Sequence, residues 1–135
     1  MAKKKHKYSK SHVDITTKLS AARVLEIGSG LADSISWLHR ADLSDGVAQF
    51  HVGVIGGRVE WMTFNLQAAA EGKVTHATTH LEHYLTTRTK LFLIPITPKR
   101  MQGYKTYRRF MRELASAVQS EDPTSTATIT ERPIA

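Results

Sequence analysis

Residues 23–34 read RVLEIGSGLADS, and two structures compete for them. As a strand and loop, Val24 to Ile27 would run buried into a turn where Gly28 and Gly30 let the backbone approach a phosphate-bearing ligand, ahead of a helix whose N–H groups face it. As a helix, Val24, Leu25, Ile27, Leu31 and Ile35 recur at near-helical spacing behind Ser20, a capping residue type, although each glycine costs about 1 kcal/mol relative to alanine. Context decides between them. A glycine-loop fold needs repeated strand–helix alternation and an acidic residue at the end of the next strand, whereas the sequence downstream reads mostly as consecutive strands. The expectation is a glycine-weakened helix, bent or broken at Gly28 and Gly30.

The same residues, 24–30, resemble the first motif of the class I methyltransferases, with Ala32 at the third glycine position. That fold with a substrate site added would be large for 135 residues. The methyltransferase reading is set aside, and no cofactor is assigned. No nucleophile–base set or carboxylate pair stands out, so no catalytic residue is named.

The length suits one domain with a real core. Cysteine is absent, which removes disulfides and thiolate metal sites. No apolar run approaches the roughly 18 residues that span a bilayer, and no hydrophobic segment follows the basic N-terminus; a cytoplasmic protein is expected. The net charge is +7, of which Lys3, Lys4, Lys5, Lys7 and Lys10 supply five. Residues 1–11 read as a basic disordered tail, 12–120 as the folded domain, and 121–135, SEDPTSTATITERPIA from Ser120 onward, as a disordered tail rich in Ser, Thr and Pro.

Within the domain, residues 12–19 alternate as a half-buried strand, with Val13, Ile15, Thr17 and Leu19 on one side. After the helix, 36–43 forms a short strand before a turn at Ser44-Asp45-Gly46. Residues 47–55 place Ala48, Phe50, Val52 and Val54 on one face, and Gly56-Gly57 marks a hairpin. Residues 58–68 carry Met62, Phe64 and Leu66 on one face; residues 74–85 form a Thr-rich strand and 90–96 an apolar one that Pro95 closes. From Pro98 to about Ser120, Met101, Tyr104, Tyr107, Met111, Leu114 and Val118 recur at three- and four-residue spacing, the clearest helix of the chain. Its other side carries Lys105, Arg108, Arg109 and Arg112. Helices set apart from consecutive hairpins make an α+β fold.

This order resembles the helix-grip, or SRPBCC, superfamily of START-related lipid-transfer domains, polyketide cyclases and birch-pollen-allergen-like proteins, its small actinobacterial members more than the large lipid carriers. The resemblance rests on VDITTKL with Ser20 and the following helix, on GGRVEWMTFNLQAAAEGKVTHATTHLEHY, and on IPITPKRMQGYKTYRRFMRELASAV. It implies a curved antiparallel sheet wrapping a long C-terminal helix, with a cavity between them. A small hydrophobic molecule is the implied ligand.

Residues expected to line such a cavity are Phe50, Met62, Phe64, Phe92, Met101, Tyr104, Tyr107 and Met111, the methionines giving adaptable contacts. Strand parity adds His83 and Glu60 as a charge-coupled pair in nearby rungs, or as half-wet residues at the end of the sheet. No metal site is expected, since His76 and His80 lie about 13 Å apart along a strand. The alternative function is a basic interaction protein that contacts nucleic acid or an anionic surface through its N-terminal lysines and C-terminal helix.

Overall fold

The computed structural model describes residues 10–44, 46–54, 59–84, 86–87, 90–91, 94–95, 100–101 and 103–131; for Val54, Val59, Glu60, His83 and the paired residues between 86 and 101 it describes the backbone alone. The 23–34 stretch is helical. Helix α1 (Ala21–Ser34) runs unbroken through both glycines, and the Ser20 hydroxyl caps it by accepting from the Arg23 N–H at 3.1 Å. Before it lies β1 (His12–Thr17), whose Val13, Ile15 and Thr17 point inward. After it come β2 (Leu38–Ser44), β3 (Val47–Val54), β4 (Val59–Glu71) and β5 (Val74–Tyr84), an antiparallel meander.

Helix α2 (Tyr104–Glu121) then precedes a last strand, β10 (Thr126–Thr130), and one six-stranded sheet forms in the order β10-β1-β5-β4-β3-β2. Between β5 and α2 the described residues form four short strands: β6 (Thr86–Thr87) pairs with β9 (Arg100–Met101), and β7 (Lys90–Leu91) with β8 (Ile94–Pro95).

Both helices cover one face of the sheet. Leu38, Phe50, Val52, Met62, Phe64, Leu66 and Ile15 meet Val24 and Leu25 of α1 and Tyr107, Phe110, Met111, Leu114 and Val118 of α2 in a single core. At its centre Phe64 lies 4.7 Å from Tyr107 and 5.0 Å from Phe110, ring centre to ring centre, and Phe50 lies 5.0 Å from Phe110. Each such pair is worth about 0.5–1.5 kcal/mol beyond its buried area. The other face carries the polar alternates: Asp14, His76, His80, Glu82 and Gln67 are exposed there.

Three expectations are corrected. First, the C-terminal helix starts at Tyr104 rather than Pro98, because Arg100 and Met101 are held as a strand against Thr87 and Thr86, and Gly103, at φ +84°, turns the chain into the helix. Second, among the described residues of the strand expected over 90–96, Lys90 pairs with Pro95 and Leu91 with Ile94, so its two ends pair with each other.

Third, the Ser/Thr/Pro-rich end is ordered through Glu131: Asp122 turns the chain, and β10 lies along β1 from Thr126 opposite Thr16 to Thr130 opposite His12. Threonine and isoleucine suit an edge strand as well as a tail, and the unused edge of β1 supplies the partner that composition does not reveal. At the other end Ser11, assigned to the basic tail, is 1% exposed. Residues 1–9, Gly56-Gly57 and Pro98 lie outside the described residues.

Candidate functional site

The residues expected to form a ligand cavity fall into three groups. Phe50, Met62, Phe64, Tyr107 and Met111 are brought together, each at 0% exposure, as the centre of the ring cluster between sheet and helices, with Tyr104 at 6% beside them. Glu60 and Met101 are placed by backbone pairing alone, Glu60 opposite Gly53 and Met101 opposite Thr86. Phe92 lies outside the described residues.

His83 stands opposite Thr63, and the β4–β5 ladder is bulged between Thr63 and Phe64, with Phe64 opposite Leu81. Glu82 is therefore an extra residue, and the alternation from Ala77 and Leu81 does not carry through to His83; one inserted residue shifts every later position.

The tyrosine hydroxyls hold structure in place. Tyr107 donates to the Ser11 carbonyl at 2.6 Å and accepts from Thr79 Oγ1 at 2.8 Å, while Thr79 Oγ1 accepts the Val13 N–H at 3.0 Å. Tyr104 bonds Ser11 Oγ at 2.9 Å and donates to Glu131, which also receives the Arg108 guanidinium. Burial pushes the Tyr104 phenol up to about 12, and Tyr107 further still. Asp122 is the matching clamp at the far end of α2. It accepts from Thr124 Oγ1, the Lys18 N–H, Ser125 Oγ and Thr17 Oγ1, and these donors hold its carboxyl well below the usual carboxylate range.

Two surface grooves formed by described residues lie elsewhere. One of about 550 Å³ runs over the polar face beside Lys10, His12, Asp14, Gln67, Thr78 and His80. Another of about 570 Å³ separates α1 from β2 at Ala22, Leu25, Ser29, Arg40 and Leu43. None of the expected ligand residues lines either groove. Among the described residues no three of His, Asp and Glu converge on a point where a metal could sit; His76 meets Glu71 at 3.2 Å and His12 meets Asp14 at 3.0 Å. Also among the described residues, no helix is long and apolar enough to cross a membrane.

The feature that stands apart is charge. Residues 83–112 contain eight Lys or Arg (Arg88, Lys90, Lys99, Arg100, Lys105, Arg108, Arg109, Arg112) and no Asp or Glu. This stretch comprises the self-paired strands and the first half of α2. On α2, Lys105, Arg109 and Arg112 are exposed, and at 3.6 residues per turn they fall within an arc of about 60° on the side away from the core.

Arg108 is held apart, bonded to Glu131 and stacked 4.9 Å over the Tyr104 ring. Arg109 meets Glu113 at 3.1 Å, an exposed pair of little strength; Lys105 and Arg112 have no acidic partner among the described residues. The helix start adds to this, since α2 has no capping side chain and no acidic residue in its first turn. Lys105 thus sits where the helix dipole favours an anion, a local cost that an external anion would offset.

Sequence reasoning found the helix face but missed the acid-free run leading into it, which counting charges between Glu82 and Glu113 would have exposed. It also missed Trp37 and Trp61, whose rings meet at 5.6 Å although 24 positions separate them.

Comparison with known protein families, characterised proteins and solved structures finds no match to this chain.

Proposed function

We propose that this protein binds nucleic acid in the cytoplasm, gripping the phosphate backbone with a cationic track on the outer face of α2. The observation that carries the reading is the line of Lys105, Arg109 and Arg112 at the end of a 30-residue run without a carboxylate. At about 1.5 Å per helical residue the line is about 10 Å long, enough for about three phosphates at the 3.4 Å strand spacing of B-DNA. The lysines of the N-terminal head add attraction for the same polyanion.

Titrating the full chain with a 20-nucleotide single strand and a 20-base-pair duplex, with phosphatidylserine vesicles in parallel, tests this. Oligonucleotide binding at about 50 mM salt that weakens at least about tenfold by about 200 mM is expected. Vesicle binding without oligonucleotide binding would assign the surface to a membrane instead, and binding to neither would end the reading.

A second reading follows the helix-grip resemblance, in which a small hydrophobic molecule lies between a bent sheet and α2, contacted by Phe50, Met62, Phe64, Tyr104, Tyr107 and Met111. The order strand, helix, antiparallel meander, helix, with both helices on one face, favours it. The ring cluster would have to part to admit such a ligand. Saturable uptake of a hydrophobic fluorescent probe, lost in Phe64→Ala without unfolding, is the corresponding test.

A further inference from the structure

Trp37 is the one non-glycine residue with positive φ among the described residues, at +71°. It occupies the turn between α1 and β2, closed by the Leu38 N–H to the Ile35 carbonyl at 3.4 Å and pinned by the Gly53 N–H to its own carbonyl at 2.9 Å. Glycine would adopt that conformation without strain, whereas a bulky side chain there is strained. The ring is not compensated by burial, for Trp37 is 52% exposed. It leans on Trp61 at 5.6 Å with a 47° tilt, and about half of it remains exposed.

Trp61 in turn lies against Gly103, where a methyl group would come within 3.5 Å of Trp61 Cβ. Gly103 is the residue that turns the chain into the cationic, uncapped start of α2. A strained, half-exposed indole is thus linked through Trp61 to the residue that begins α2, the positive end of the proposed phosphate track.

We infer that Trp37, braced by Trp61, is a stacking platform for an unpaired nucleobase, so that the preferred ligand is single-stranded nucleic acid. The inference rests on the phosphate-track reading and narrows its substrate class. A charged groove that follows the backbone, combined with an aromatic face that takes successive bases, is the chemistry that holds single strands with little regard to sequence. Bases stacked within a duplex offer no free face to the indole.

Trp37 and Trp61 are the only tryptophans of the chain, so intrinsic fluorescence reports on this pair alone. The test titrates the full chain at low salt with oligo(dT) of 20 nucleotides and with an abasic 20-mer of equal charge. Saturable quenching by oligo(dT), with at least tenfold weaker binding of the abasic strand, is expected. Trp37→Ala should bind oligo(dT) about tenfold or more weakly, by polarisation of a labelled strand, and retain its affinity for the abasic strand. Trp37→Gly suits the positive φ, folds without the strain, and should show the same loss.

Equal affinity of the native chain for the two strands, or unchanged oligo(dT) affinity in the folded Trp37→Gly variant, would overturn the platform while leaving the phosphate track standing. Failure of the native chain to bind either strand would remove both.

Discussion

Gly28 of α1 rests on Leu66 of β4 so closely that a methyl group on it would meet Leu66 Cδ2 at 2.7 Å, with Phe110 and Phe50 next in reach at 3.5 and 3.8 Å. Leu66 is fully buried and has little room to give. The glycine that imitates a ligand loop is a contact point between helix and sheet. Gly30, one turn-fraction away, has nothing within 4 Å of its missing side chain.

The two glycines therefore respond oppositely to alanine. Gly30→Ala should stabilise the protein by about 0.5–1 kcal/mol, the ordinary helix-propensity gain. Gly28→Ala gains the same propensity but overpacks the core at about 1–3 kcal/mol and should come out destabilised. Urea midpoints of the two variants check this, and equal shifts of the same sign would contradict the close contact.

Acid sensitivity should centre on Asp122. Its folded pKa lies below its unfolded value, so its contribution is fully present above about pH 4 and is lost as pH falls through the folded value. Asp122→Asn should lower the thermal midpoint at pH 7 and flatten its dependence on pH below about 4. A variant whose acid limb matches that of the native chain would show that the clamp joining α2, β1 and β10 does not depend on the charge.

The alkaline side belongs to the tyrosines. Tyr104 and Tyr107 have folded pKa values above their unfolded ones, mainly through burial, so the neutral phenols stabilise fully below about pH 10 and progressively lose that contribution as pH rises toward 12 and beyond. Tyr107→Phe leaves the Ser11 carbonyl without its donor and should cost about 1–3 kcal/mol at pH 7. Circular-dichroism melts of both proteins between pH 7 and 11 give the comparison, and a phenylalanine variant as stable as the native chain would contradict the role of the hydroxyl.

Much of this fold is legible in the sequence because burial on one face writes a clear period. Val13, Ile15 and Thr17 alternate, Met62, Phe64 and Leu66 alternate, and Tyr107, Met111, Leu114 and Val118 recur along a helix. What periodicity cannot carry is a break in register. The bulge at Glu82 displaces His83, and a strand at 100–101 delays the helix past Pro98.

Strand β10 depends on an edge of β1 that local composition does not see. Phe50, Met62, Phe64, Tyr104, Tyr107 and Met111 share the inner face because the pattern identifies what is buried; whether side chains meet each other or leave a void depends on three-dimensional fit. The Trp37–Trp61 contact is likewise invisible to any local pattern, because a turn and a strand bring it about.

Binding through α2 is tested most directly by the salt dependence of affinity for a single-stranded 20-mer, compared between the native chain and Lys105→Gln/Arg109→Gln/Arg112→Gln. Each phosphate neutralised adds about 0.7 to the slope of log affinity against log salt for a single strand. Removing three contacts should therefore reduce the slope by about 2 while the folded baseline is unchanged. An identical slope in the triple variant would contradict the assignment of the phosphate track to this face.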